Sequence, residues 1–211
     1  MFEFVNGVDL MASIGLIVVL GFFYGHGLRW ISHPRISEYA LGAVFGAAAI
    51  FQMHQPFEPM NGLIIDLRNI PAALAGAFLG WRGIFMCVVM AVGMRIGISG
   101  ASMFAGVLGI LTAASMGALW AEWTKSHQKR GLKLHLVLAV MISAHLTSAL
   151  ILPAGLRNWF WSEAALPILL INILVVPIVA AILELERRKV SEEMRLRNSV
   201  VFDPELSLIH I

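Results

Sequence analysis

The sequence predicts an all-α integral membrane protein, a bundle of six to seven transmembrane helices followed by a cytoplasmic C-terminal helix. Of its 211 residues, 59% are hydrophobic and only 13% are charged, and the mean hydropathy is +0.82. Soluble domains carry about 25% charged residues, so this chain has too little polar surface to face water on all sides. Its apolar residues gather in runs near the ~20 residues that a helix needs to cross a bilayer core.

The predicted spans follow these apolar runs in chain order. The first run starts near Glu3 and Asp9 with no basic residue before it, so it lacks the pattern of a signal peptide and is expected to stay in the membrane. The spans cover residues 8–24, 36–53, 63–80, 82–96, 102–123, 132–153 and 164–186. The third and fourth are short and closely linked, and counting them as one broken unit would give six spans.

The basic residues predict the orientation of the chain. Those on one side of the predicted bundle are Arg29, Arg35, Arg82, Lys125, Lys129, Arg130, Lys133, Arg187, Arg188, Lys189, Arg195 and Arg197. The loop at 155–163 on the other side carries Arg157 and a run of three aromatic residues suited to the membrane interface, Trp159, Phe160 and Trp161. Basic residues concentrate on the cytoplasmic side of membrane proteins. We therefore expect the N-terminus outside and the C-terminus inside, an alternation that requires seven crossings.

The last span is expected to continue as a charged helix. Nine charged residues crowd into residues 184–197, which fits either a solvated anchor or a signalling helix that leads to an effector. The ending at 206–211 fits neither a span nor a helix cap. We expect the native chain to continue beyond about Glu205.

Two arginines, Arg68 and Arg95, lie inside hydrophobic segments. A charge at the centre of a bilayer costs at least about 2.5–3.5 kcal/mol on insertion scales, so each needs a partner, a wet cavity or a function. Arg68 lies thirteen residues before Trp81, and Arg95 lies thirteen residues after Arg82. In an antiparallel helical pair these spacings place both at one depth, about 20 Å above the cytoplasmic turn. Two like charges at one depth repel unless a negative group lies between them.

That negative group has two possible sources. Asp66 lies close in sequence and could reach Arg95 across the pair. The planar fork of arginine also suits an external carboxylate or phosphate. The sequence therefore allows a structural network, in which Asp66 neutralises one arginine, and a site for an anion. The two are compatible.

Pro71 predicts a break in the third span. It disfavours helical geometry at Ile70, while Asn69 suits an N-cap, so a helix begins near Pro71 and leaves residues 66–69 irregular. Irregular backbone at membrane depth is tolerated where it lines a cavity or is buried in protein. The candidate ligand-binding residues are Arg68, Arg95, Asp66 and Asn69.

Other residues predict packing. Glycines spaced four apart, as at Gly76 and Gly80 or Gly93 and Gly97, let helices approach closely. His135 and His145 are expected to be hydrogen-bonded within the bundle. No spacing indicates a catalytic residue, a metal, a cofactor or a nucleic-acid patch.

The stretch Asp66-Leu67-Arg68-Asn69-Ile70-Pro71, the small residues that follow to Gly80, and Arg95 with Gly97 and Gly100 resemble the five-transmembrane receptor domain of the LytS-YhcK type. The resemblance runs from about residue 28 to residue 186. It implies a sensor module of the bacterial inner membrane, fused to a histidine kinase of the two-component type or to a diguanylate cyclase. It also implies three parts: a first transmembrane helix at 1–27, the sensor domain at 28–186, and a linker helix and tail at 187–211.

The function expected on these grounds is detection of a small anion, a carboxylate, from the outer side, with a signal to an output domain that is missing here. The lipid bilayer and a second copy, joined through the C-terminal helix, are the other expected partners, and no nucleic acid is expected. The rival interpretation is the substrate-binding membrane subunit of a small-molecule importer. A membrane-embedded enzyme is the third alternative.

Overall fold

The computed structural model describes residues 7–31, 33–54, 57–60, 63–65, 67–127 and 129–201. These residues are almost entirely helical. The elements are α1 (Gly7–Trp30), α2 (Pro34–Met53), β1 (Phe57–Met60), β2 (Leu63–Ile65), α3 (Asn69–Phe78), α4 (Trp81–Ile98), α5 (Met103–Trp123), α6 (Leu132–Ile142), a 3₁₀ helix (Ser143–Ile151), α7 (Ala154–Trp159), a π-helical turn (Phe160–Ala164) and α8 (Ala165–Val201). β1 and β2 pair antiparallel.

Five helical stretches in the described residues are long and apolar enough to cross a membrane: Pro34–Met53, Trp81–Ile98, Met103–Trp123, Leu132–Ile151 and Ala154–Arg197. α1 has 24 residues and α3 is a shorter apolar helix. The chain is a multi-pass helical membrane protein, as the composition predicts.

Two parallel helix pairs organise the bundle. α2 lies beside α4, where a Cβ on Gly42 would meet the Cα of Gly83 at 2.8 Å. α3 lies beside α5 just as closely, because a Cβ on Gly76 would meet the backbone nitrogen of Ala118 at 2.9 Å. Only glycine allows backbones to approach so closely. Because α2 and α4 run in the same direction, the chain between them must cross back. Successive crossings therefore alternate in direction, as the predicted topology requires.

One end of the bundle carries the basic links. We call it the basic end: of the described residues, 31, 33, 79–80, 124–127 and 129–131 lie there, with the start of the charged part of α8. Arg82 and Glu38 form an ion pair of 3.5 Å at this end. At the same end, the indole of Trp120 donates to the carbonyl of Leu134 at 2.8 Å. The grouping of links matches the grouping of basic residues in the sequence.

The prediction of a helical span over 63–80 is wrong in its first half. Residues 63–65 form strand β2, and α3 contributes ten helical residues from Asn69 to Phe78. Ten residues make a helix of about 15 Å, half the thickness of a bilayer core. The predicted start near Pro71 is confirmed, but Arg68 is the N-cap and Asn69 is the first helical residue. The reason is a tight turn before the helix, in which Ile70 donates to the carbonyl of Leu67 at 3.0 Å.

The loop predicted at 155–163 is helical. The chain runs through α7 and the π-helical turn directly into α8. Pro167 has no N–H for the carbonyl of Glu163, which fits an irregular turn at that point. Phe160 packs in a buried cluster with Leu152 and Ile168, so its ring faces the bundle.

α8 continues without interruption past the basic end, as the sequence predicts. Arg29 of α1 holds this extension, because its guanidinium pairs with Glu186 at 3.1 Å and with Glu193 at 3.1 Å. The two acids lie two turns apart on α8, so one arginine bridges that length of helix. We call this contact the Arg29 clamp.

Replacing Arg29 by alanine is expected to loosen the extension of α8 with little change in overall stability. Exposed ion pairs contribute little to global unfolding, but this one joins two helix ends. Hydrogen exchange of residues 186–197 should become several-fold faster. Arg35→Ala, an exposed arginine at the same end, is the matched control and should leave exchange unchanged. Equal exchange in Arg29→Ala and wild type would show that the clamp does not hold α8.

Candidate ligand site

The site is built where α3 begins and α4 ends, in the half of the bundle away from the basic end. Arg68 caps α3, and Arg95 lies in the last turn of α4. Both are buried, with 6% and 0% of their surfaces exposed. The break before Pro71 places Arg68 at a helix start, and the length of α4 carries Arg95 to the same level.

The two guanidinium groups meet at Gly106, in the first turn of α5. A Cβ on Gly106 would lie under 3.0 Å from Nε of Arg95 and at 2.7 Å from Nη2 of Arg68. The absence of a side chain at Gly106 therefore creates the space in which the arginines meet. The sequence prediction that they share one depth is matched by this geometry.

The loop between α4 and α5 holds Arg95 in place. Nη1 of Arg95 donates to the carbonyl of Ser99 at 2.8 Å, and Nη2 of Arg95 donates to Oγ of Ser102 at 2.9 Å. To turn back over the guanidinium, the loop takes positive φ at two residues, 61° at Ser99 and 96° at Gly100. A serine in this region is strained, so the contact with Arg95 helps to fix the loop.

A polar wall lies beside Arg68. Asn69 and Ser148 both flank Gly109, whose Cβ would lie 3.2 Å from Oγ of Ser148 and 3.6 Å from Oδ1 of Asn69. Oδ1 of Asn69 is buried and accepts no hydrogen bond from the described residues. His145 donates from Nδ1 to the carbonyl of Ile142 at 2.8 Å and lies three residues before Ser148, on the same face of the 3₁₀ helix.

The sixth span supplies this wall through its 3₁₀ helix. Nine residues are a long run for this conformation, which rarely exceeds three or four. Side chains bond back to carbonyls of the preceding turn there, Ser143 to Ala139 at 2.8 Å and Thr147 to Ala144 at 2.7 Å. Such bonds compete with regular α-helical pairing. The tighter winding sets which side chains face the site.

The structure brings together three of the four predicted residues: Arg68, Arg95 and Asn69. Asp66 lies outside the described residues. Sequence reasoning missed Ser102, Gly106, His145 and Ser148. A signal for the last two was the three-residue spacing of His145 and Ser148 on one span, which is too common to be specific without the fold.

Gly106→Ala is expected to impair the site selectively. The new methyl would meet Nε and Cδ of Arg95 and Nη2 of Arg68 rather than backbone, so both arginine side chains must shift while the helices keep their packing. We expect anion affinity to fall by roughly tenfold, since displacement weakens charge-assisted hydrogen bonds. Melting in detergent should change little. A large loss of stability with unchanged anion affinity would mean that Gly106 serves helix packing.

Comparison with known families decides the class. Residues 20–186 match the family model described as the 5TMR of 5TMR-LYT. The chain belongs to the LytS-type five-transmembrane receptor family. No curated protein and no solved structure matches it. The match begins eight residues earlier than the resemblance at residue 28 suggests, so it takes in the second half of α1.

The LytS-type domain is a membrane sensor region, so this chain has a role in signalling. The match ends at 186, where the Arg29 clamp begins and where α8 continues beyond the bundle. The family domain therefore contains the arginine pair, the polar wall and all the helices that surround them. The extension of α8 lies just beyond it, at the basic end.

Proposed function

We propose that this LytS-type sensor binds a small anion, a carboxylate, between Arg68 and Arg95 from the outer side of the bacterial inner membrane. The observation that carries the proposal is the meeting of two buried guanidinium groups at Gly106. The signal passes to a cytoplasmic output domain of the histidine kinase type. A diguanylate cyclase is the alternative output that the family allows.

The electrostatics of the pair favour an anion. Two positive charges about 5 Å apart repel by about 3 kcal/mol at an effective dielectric of about 20. A carboxylate between them reverses the sign of this energy and can accept hydrogen bonds from both. Asp66 remains a possible internal competitor for this position, as the sequence suggests.

Two helix ends add to this preference. α3 and α5 both begin at the site, and the N-terminus of a helix carries a partial positive charge. Unpaired N–H groups in a first turn are common donors to anions. The arginine side chains and the helix N-termini therefore both favour a negatively charged ligand. The buried Oδ1 of Asn69 offers an acceptor for a hydroxyl or amide on the ligand.

A path of contacts connects the site to the output. Ser148 and His145 belong to the 3₁₀ helix, and Asn172 of α8 donates to Oγ of Ser143 in the same helix at 3.1 Å. α8 then continues to the charged extension. A ligand that favours one winding of the 3₁₀ helix over another would bias the position of α8. It can do so only through a difference in affinity for the two states.

The orientation and assembly are part of the proposal. The positive-inside rule assigns the basic end to the cytoplasm, which places the arginine pair in the outer half. We propose a homodimer through the extension of α8. Three apolar side chains of the extension are more than half exposed: Leu185, Met194 and Leu196. The Arg29 clamp occupies another part of the surface of the extension.

The importer subunit is the second candidate, and the broken third crossing favours it. Interrupted helices with their N-termini at an anion occur at transporter sites. Two assays on the purified chain distinguish the receptor from the importer subunit. Thermal melting with acetate, succinate, citrate, phosphate and sulfate tests binding. Uptake of the labelled stabilising anion into proteoliposomes tests transport, and accumulation would contradict a pure receptor. Absence of stabilisation by every carboxylate would contradict the ligand class.

A further inference from the structure

A second group of buried polar residues lies at the basic end, far from the arginine pair, around Trp120. Trp120 is fully buried. The guanidinium of Arg130 lies 4.8 Å from the centre of its ring, and the ring of His135 lies 6.1 Å from it. Arg130 comes from the link before α6, and His135 from the first turns of α6. Both are almost completely buried, at 7% and 2% exposed.

Glu184 completes this group from α8. It is 7% exposed, and its Oε1 accepts from Nε of Arg188 at 3.2 Å. The charges of Glu184, Arg130 and Arg188 all act on His135. The charges of Glu184 and Arg187 on α8 also act on Arg130. The group therefore lies among α5, α6 and α8 where α8 leaves the bundle.

Four buried atoms in this group make no hydrogen bond with any described residue. They are both ring nitrogens of His135, Nη1 of Arg130 and Oε2 of Glu184. Each such atom costs about 1–3 kcal/mol when it stays unsatisfied, and native structures satisfy nearly all of them. The set is chemically complementary: arginine donates, carboxylate accepts, and neutral imidazole does one of each. Buried water is the usual occupant of a place lined in this way.

We propose that His135, Arg130 and Glu184 form a second site that holds water and takes up a proton from the cytoplasmic side, and that this proton changes the seating of α8. A neutral imidazole donates a hydrogen bond from one ring nitrogen and accepts one at the other. A protonated imidazole donates from both, and the unused Oε2 of Glu184 is an acceptor of the matching charge. The N–H bond of the imidazolium is the one covalent bond formed, and its proton comes from water on the cytoplasmic side.

The consequence follows from the position of Glu184. In the structure the carboxylate of Glu184 is paired with Arg188, one turn further along α8. A positive His135 competes for it and draws the start of the extension toward α6. Arg130 and Arg188 oppose the new charge, so the site has two states that differ by one proton. The inference does not depend on the arginine pair, and it gives the sensor an input from the cytoplasm.

Distances between spin labels test the proposal on the full chain in lipid nanodiscs. Labels on Glu122→Cys at the end of α5 and Met194→Cys on the extension of α8, in a Cys87→Ala background, report the seating of α8. We expect the distance distribution to change between about pH 7 and pH 4, because burial of His135 disfavours the charged imidazole relative to an exposed one. The change should follow a single proton. A distribution independent of pH in this range would overturn the proposal.

Variants assign the proton. His135→Gln should abolish the change, while His127→Gln, an exposed histidine in the nearby link, should leave it intact. Glu184→Gln removes the attractive charge and should move the transition to more acidic pH by roughly one unit. This variant keeps the test decisive if His135→Gln does not fold. An unchanged transition in either His135→Gln or Glu184→Gln would assign the proton elsewhere and refute the site.

Discussion

Arg95→Ala is expected to lower the affinity for a stabilising carboxylate by roughly 100-fold or more, because truncating one partner of a buried charge pair costs about 2–5 kcal/mol. Arg95 is the more deeply buried arginine of the pair and is anchored by Ser99 and Ser102. Arg68→Ala should have a similar effect. Isothermal titration in detergent measures both.

Arg157→Ala is the matched control for these variants. Arg157 has the same charge and lies at the same end of the bundle, but its side chain bonds weakly to the carbonyl of Leu150 at 3.5 Å, away from Gly106. Its loss should leave affinity within a factor of two or so, since exposed charges act weakly. Equal losses in Arg157→Ala and Arg95→Ala would mean that net charge, and not a site, attracts the anion.

Gly76→Ala is expected to be among the most destabilising single-methyl changes in the chain. The methyl would press on the carbonyl oxygen of Ala114 and lie 2.9 Å from the nitrogen of Ala118, and backbone cannot move aside cheaply. Overpacking of this kind costs about 1–3 kcal/mol, which corresponds to roughly 5–10 °C in apparent Tm at the upper end. Thermal melting in detergent, with no ligand, measures it.

The chain offers its own control for this variant. Gly97→Ala adds the same methyl to α4, where no atom lies within 4 Å of the new Cβ. Its Tm should stay within about 2 °C of wild type, because helix propensity favours alanine over glycine. A Gly76→Ala protein as stable as Gly97→Ala would contradict the close parallel packing of α3 and α5.

Much of the fold could be predicted because lipid imposes simple rules on sequence. Apolar runs gave the spans to within a few residues at α2, α4 and α5, and basic links gave the common end. Hydropathy failed at 63–80 because it averages over a segment and does not detect a change from strand to helix. The break was visible at Pro71, which acts through backbone geometry rather than polarity.

The arginine pair could also be predicted, because a charge inside an apolar segment is rare enough to attract notice. The rest of the site could not. Gly106, His145 and Ser148 are ordinary residues in membrane helices, and they become significant only when α5 and the 3₁₀ helix bring them beside Arg68. The tight winding of that helix is accompanied by serine, histidine and threonine bonds to backbone, which no periodicity indicates. The glycine pair at Gly93 and Gly97 shows the opposite case, since its spacing suggested packing and the structure leaves both open.

The most direct test of the account measures whether the extension of α8 responds to an anion at the arginine pair. The same spin-labelled chain, held at one pH, is compared with and without saturating amounts of the carboxylate that stabilises it best. We predict a shift in the distance between residues 122 and 194 that disappears in Arg95→Ala and persists in Arg157→Ala. A carboxylate that binds at Arg95 and leaves this distance unchanged would contradict the sensor mechanism.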